Sequence, residues 1–140
     1  MGFGKKILAV LLFALFALAQ SLVTFKTRLA PVALDAAMKA NVAGDGSASA
    51  TLAGTKLTIS GMFAGLRSPA TGAQIHQGSA AGVRGPALLD LVVSKAMSGN
   101  VSGSFDLTAE QIESLKKGKW YIQIDSEKAP QGNLWGWLLK

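Results

Sequence analysis

Along most of this chain, hydrophobic and polar positions alternate with the two-residue period of a β-strand, and glycines interrupt the alternation at short intervals. After Gly44, Asp45 and Gly46 turn the chain, residues 47–52 read Ser-Ala-Ser-Ala-Thr-Leu, polar and apolar by turns. Gly54 and Thr55 turn it again, and residues 56–60 alternate with Leu57 and Ile59 inward. Residues 61–66 continue that strand until Ser68 and Pro69 open a loop. In residues 73–77, Gln74 and His76 share one face, while Ala73, Ile75 and Gln77 share the other. Gly78, Gly82 and Gly85 then allow tight turning before Pro86. Residues 87–93 form an apolar run broken by Asp90, with Ala87, Leu89, Leu91 and Val93 on one buried face and Asp90 turned outward or to an edge. Residues 99–107 place Val101, Gly103, Phe105 and Leu107 inward, residues 120–125 make the strongest strand, and residues 133–139 make the last.

The period changes once. Thr108 with Gln111 three residues on is a capping-box pattern, Ile112 and Leu115 give a small apolar stripe, and Gly118 supplies a stop. The spacing predicts one short helix over 109–117. Residues 20–33 show no clear period and read as a lead-in segment. Residues 34–42 carry helix-favouring Ala36, Ala37, Met38 and Ala40, but no N-cap precedes a long apolar stripe, and they read as an extended strand. Many short strands with glycine turns and one crossover helix near 109–117 imply an all-β fold, an antiparallel Greek-key-like β-sandwich or flattened barrel occupying residues 34–140.

The start of the chain has a different grammar. Lys5 and Lys6 precede thirteen uncharged residues, 7–19, which end in the small-x-small pattern Ala17, Leu18, Ala19. That pattern predicts a signal peptide over residues 1–19, cleaved before Gln20, and hence an exported protein, periplasmic or extracellular. The run is shorter than the ~20 residues of a membrane-spanning helix, so no stable span is expected after cleavage; an uncleaved anchor running through Val23 is the alternative. The chain has no cysteine, which excludes disulfides and a lipid-modified N-terminal cysteine. Its formal charge of +6 is scattered, with Lys116, Lys117 and Lys119 the one cluster. A solvated loop near a helix end explains that cluster better than a nucleic-acid site, which would need a denser basic stripe with interleaved aromatics.

In this order, the motifs resemble the CHRD domain, a module repeated in chordin and found singly in many exported bacterial proteins. The resemblance runs over residues 44–140. It comprises Gly-x-Ala-x-x-x-Leu at 46–52 and Leu-x-x-x-Gly-x-x-x-Gly-Leu at 57–66. It continues with Ala73-Gln-Ile-His-Gln-Gly78 against the family's Ala-His-Ile-His-x-Gly, and with Gly-x-x-Gly-Pro at 82–86. Leu107, Thr108, Leu115, Gly118 and Tyr121 match a further family segment. Residues 121–126 and 130–138 match its last two strands. The polar positions depart from the pattern. Gln74 and Asp125 stand where the family has histidines, and Asn133, Trp135 and Trp137 replace glutamate, arginine and glutamine. The family's Glu-x-Pro-Pro lead is reduced to Pro31.

Strand parity collects these altered residues. Gln74 and His76 share a face, as do Tyr121, Gln123 and Asp125, and as do Asn133, Trp135 and Trp137. The resemblance implies that the three strands are neighbours. A candidate binding face therefore consists of Gln74, His76, Gln123, Asp125, Asn133, Trp135 and Trp137. Three histidines there would suit a transition metal, but His76 is the chain's only one. His76 and Asp125 give two ligands where catalytic zinc uses three. No metal and no cofactor are expected, and His76 hydrogen-bonded to Asp125 or Gln74 is the plainer reading. Glu110 and Glu113 read as a solvated helix face, and no sequence context supports a nucleophile triad. Trp135 and Trp137 either pack beneath a loop or the helix, or stand exposed as an aromatic platform. The reading reached from sequence is a non-catalytic binding or interaction module for an unknown protein or a cell-surface polymer. The rival is a metal-binding or redox protein built on His76 and Asp125.

Overall fold

The alternating stretches fold as strands whose apolar faces turn to a shared interior. The computed structural model describes residues 22–33 and 35–140; the expected signal segment 1–19 and its cleavage point before Gln20 lie outside the described residues. The strands are β1 (Leu22–Pro31), β2 (Asp45–Ala53), β3 (Lys56–Ala64), β4 (Ala70–Gln77), β5 (Ala87–Val93), β6 (Gly99–Asp106), β7 (Trp120–Ser126) and β8 (Leu134–Trp137), with a helix α1 (Ala109–Lys116) between β6 and β7. They form one antiparallel, barrel-like sheet that closes on itself in the order β1-β2-β3-β6-β5-β4-β7-β8. The β4–β5–β6 meander lies between β3 and β7, so β3–β6 and β4–β7 are each Greek keys. Among the described residues, no helix is long and apolar enough to cross a membrane.

The interior is filled by the inward residues of every strand. Leu57, Ile59 and Phe63 of β3 meet Val101 of β6, Leu91 of β5, Ile75 of β4, and Trp120, Ile122 and Ile124 of β7 in one buried cluster. The outward position of Asp90 holds, with Leu89, Leu91 and Val93 facing the core, whereas Ala87, expected on the same buried face, is exposed where the β4–β5 register shifts between Ile75 and His76. The helix forms where its capping box places it. The Thr108 hydroxyl accepts from the Gln111 amide at 3.2 Å, and Gln111 Oε1 accepts from the Thr108 amide at 2.9 Å. Leu115 is fully buried and Ile112 packs against the core, so α1 lids one end of the barrel. Gly118 ends it with φ +75°, a conformation that side chains resist.

Two stretches depart from the sequence reading. Residues 22–31, which show no period and read as a lead-in, are β1, a full ten-residue strand. It pairs with β2 from Leu22↔Ala53 to Leu29↔Gly46, then with β8 through Ala30↔Trp135 and Pro31↔Leu134, and so closes the sheet. Phe25 and Leu29 are inside, but partly buried Thr27 shares their parity, and this polar residue breaks the apolar alternation. Pro31 sits at the strand end, where the missing N–H costs nothing. Residues 36–41 are a 3₁₀ turn and not a strand: Asp35 is its N-cap and accepts from the Met38 amide at 3.2 Å. The cap overlooked in the sequence is that aspartate, and no residue of the turn is buried.

Phe25→Ala tests whether β1 belongs to the folded core. Its side chain is 1% exposed, so truncation should cost about 3–5 kcal/mol in a urea unfolding curve. A lead-in outside the core would leave the midpoint where it was.

Candidate functional site

On β7, inward Trp120, Ile122 and Ile124 alternate with Tyr121, Gln123 and Asp125, which point out of the barrel. β4 and β8 flank β7, and their registers set the outer wall in rows. His76 lies opposite Tyr121 and Tyr121 opposite Trp137; Gln74 lies opposite Gln123 and Gln123 opposite Trp135. The expected neighbourhood of the three strands is therefore present, and so is the shared face.

Tyr121 is the centre of that wall. It is 1% exposed although it points away from the core, because loop 78–86 folds over it. Its hydroxyl donates to the Gly85 carbonyl at 2.9 Å and accepts from the Gly85 amide at 3.0 Å. A Cβ on Gly85 would collide with the Gln77 carbonyl oxygen, so glycine is what lets the loop come this close. Three rings lean on the phenol: His76 stacks at 5.0 Å, Trp137 is tilted at 4.5 Å, and Trp135 meets it edge-on at 5.8 Å. The Arg84 guanidinium lies 5.2 Å from the Trp135 ring centre, within cation–π range. Trp135 and Trp137 are each partly exposed, with 6.4 Å between ring centres. They are neither covered by the helix nor fully in solvent.

A hydrogen-bond chain runs beside the aromatics. Gln74 Nε2 donates to Asp125 Oδ2 at 3.0 Å, and Gln123 Nε2 donates to Asp125 Oδ1 at 2.9 Å. Gln74 Oε1 faces His76 Nε2 at 3.1 Å, while His76 Nδ1 faces the Gly85 carbonyl at 2.9 Å. Arg84 reaches Gln123 Oε1 and the Gln131 carbonyl, both at 3.4 Å. Both ring nitrogens of His76 thus face acceptors, and the Gln74 amide cannot turn around without losing its bond to the carboxylate. His76 and Arg84 are each joined to the Asp125 carboxylate through one glutamine.

This arrangement bears on the expected chemistry. His76 and Asp125 do not touch; the Gln74 amide stands between them and occupies one atom of each. Their remaining ligand atoms also bond within the wall, to Gly85 and Gln123. Among the described residues, no three His, Cys, Asp or Glu side chains gather as a metal cluster. Asn133 stands apart from the other six candidates. It is fully buried, with Nδ2 donating to the Ala43 carbonyl at 2.8 Å and Oδ1 accepting from the Ser126 hydroxyl at 2.8 Å, so it pins the loop before β8. Sequence reasoning missed Arg84 and Gly85 as members of the wall. Tyr121 was on the right face by parity but was not counted as a site residue; the Gly-x-x-Gly-Pro loop directly after the His76 strand was the available signal.

Tyr121→Phe isolates the loop clasp. It keeps the ring contacts but leaves the Gly85 amide without its partner, a loss of about 1–2 kcal/mol. Hydrogen exchange at the Gly85 amide should quicken by roughly tenfold, and an unchanged rate would show that loop 78–86 is held by other contacts.

Among known proteins, the chain matches the family model of the CHRD domain over residues 29–138. No curated protein and no solved structure matches it.

Proposed function

This chain belongs to the CHRD domain family, and from that premise we propose that it is an exported, non-catalytic binding module whose contact surface is the outer wall of β4, β7 and β8. The observation that carries this reading is the pair of partly exposed indoles, Trp135 and Trp137, seated on the buried Tyr121 ring. Indoles packed from beneath lose little freedom when a ligand lies on them, so such a platform is already organised for contact. The polar half of the wall supports binding over catalysis. His76 has no nitrogen lone pair turned to solvent and Asp125 has both oxygens engaged, so neither is poised as a base. The ligand class that fits is a cell-surface polymer or a protein partner with a ring or apolar edge to lay on the indoles, and amide and guanidinium groups beside them offer hydrogen bonds.

Trp135→Ala and Trp137→Ala, made singly, test the platform. Each should abolish or weaken retention on the target polymer by at least about tenfold, while shifting the unfolding midpoint less than a buried core truncation does. A strong loss of stability with binding intact would make the wall a packing layer and sink the proposal.

Export has its own test. Residues 1–19 carry the signal pattern, and N-terminal sequencing of the protein from the exported fraction should begin at Gln20. An intact Met1 in the membrane fraction would establish the uncleaved anchor in its place.

A further inference from the structure

The lysine cluster and the end of the barrel that α1 covers are not used by the outer wall. β1 begins at this end, because Leu22 pairs with Ala53 beside the β2–β3 turn, and the Thr55 carbonyl of that turn accepts from the Leu107 amide just ahead of α1. Loop 78–86 and the chain's last residues arrive here as well: the Gly78 amide donates to the Lys119 carbonyl at 2.9 Å, and Leu139 lies against Gly118. A recess of ≈ 190 Å³ opens among them, with buried Phe25, Leu115 and Leu138 in its floor and Lys116, Lys117 and Lys140 on its rim.

Two properties coincide at this end. Seven large hydrophobic side chains are exposed among the described residues, and of these Leu22 (56%), Leu88 and Leu139 (52%) are here, the last two flanking α1. Lys117 pairs with Glu113 at 2.8 Å, which holds the Glu113 carboxyl below its ordinary value, whereas Lys116, Lys119 and Lys140 have no acidic partner within ion-pair distance among the described residues. Glu110 lies in the first turn of α1, at the opposite end of the helix from the lysines, and Asp106 precedes it. We propose that this end of the barrel docks on a bilayer containing anionic phospholipid, with the lysines at the headgroups and Leu22 and Leu139 entering the interface.

The mixed character selects that occupant. A soluble polyanion would use the lysines and gain nothing from exposed leucines, whereas an anionic bilayer rewards both. The outer wall of β4, β7 and β8 is on the side of the barrel, and docking by the end leaves it accessible.

Co-sedimentation of the full chain with phosphatidylcholine vesicles, with and without phosphatidylglycerol, tests the proposal. Lys5, Lys6 and the run 7–19 are common to the parent and every variant, so the informative quantity is the change between them in the preference for the anionic vesicles. The parent should prefer them, less so as salt rises, and Lys116→Gln/Lys119→Gln/Lys140→Gln should reduce that preference on the order of a hundredfold. Leu139→Ser should weaken binding to both vesicle types. These side chains are exposed or half-exposed, so unfolding midpoints should not move, and the single lysine variants give the same ranking should the triple variant fold poorly. No anionic preference in the parent, or one that survives the triple variant, overturns the inference. Equal competition by soluble polyglutamate together with an inert Leu139→Ser would also overturn it, by making the end a polyanion site.

Discussion

The strand on which this molecule depends is β7, because it is buried on both sides. Its inward residues Trp120, Ile122 and Ile124 fill the barrel, and its outward residues Tyr121 and Gln123 are covered in turn. A strand of a closed barrel normally leaves one face to water. Covering the second face requires another layer, and here that layer consists of loop 78–86 and the indoles of β8. The loop's position, the angle of the indoles and the relay through Asp125 all refer back to where β7 places Tyr121 and Gln123.

The polar part of the wall is fully satisfied. Among the described residues, no buried side-chain nitrogen or oxygen lacks a partner. The bonds form one relay: Arg84 gives to Gln123, Gln123 and Gln74 give to Asp125, and the two ring nitrogens of His76 face the Gln74 Oε1 and the Gly85 carbonyl. A carboxylate at the receiving end fixes both glutamine amides, and the fixed Gln74 amide turns its oxygen towards His76. The positions that depart from the family pattern, Gln74 and Asp125, therefore work as a matched pair, since a carboxylate without the amides would be a half-satisfied charge beside buried rings.

Much of this was legible in the sequence because a period of two survives wherever one face of a strand is apolar. β2, β3 and β6 were read with their inward residues correct, β5 with all but Ala87, and Thr108 with Gln111 announced α1 in its actual place. Parity also put Gln74, His76, Gln123, Asp125 and the two tryptophans on one face. The misses have physical causes. β1 was hidden because Thr27 takes an inward position in an otherwise short apolar set, and because Leu22 and Val23 meet the candidate signal segment without a break. The 3₁₀ turn was hidden because its residues bury nothing and so carry no period. Asn133 has wall parity, but it lies just before β8, where its side chain bonds the loops instead. Tyr121 was undervalued because an outward tyrosine is ordinary until a loop that lies far away in sequence is seen to close over it.

The seam between β1 and β8 joins nearly the first described residues to the last, and Lys26 bridges Leu139 in the same way. Closure of the sheet therefore waits for the C-terminus, however early β2 and β3 form their local hairpin. Contacts of such long sequence separation slow folding, because loop entropy must be surrendered before the contacts reward it. During synthesis the barrel remains an open sheet with two unpaired edges until its final strand is free. If the chain is exported as proposed, as an extended thread, that delay would keep it threadable, and its topology would act as the timer.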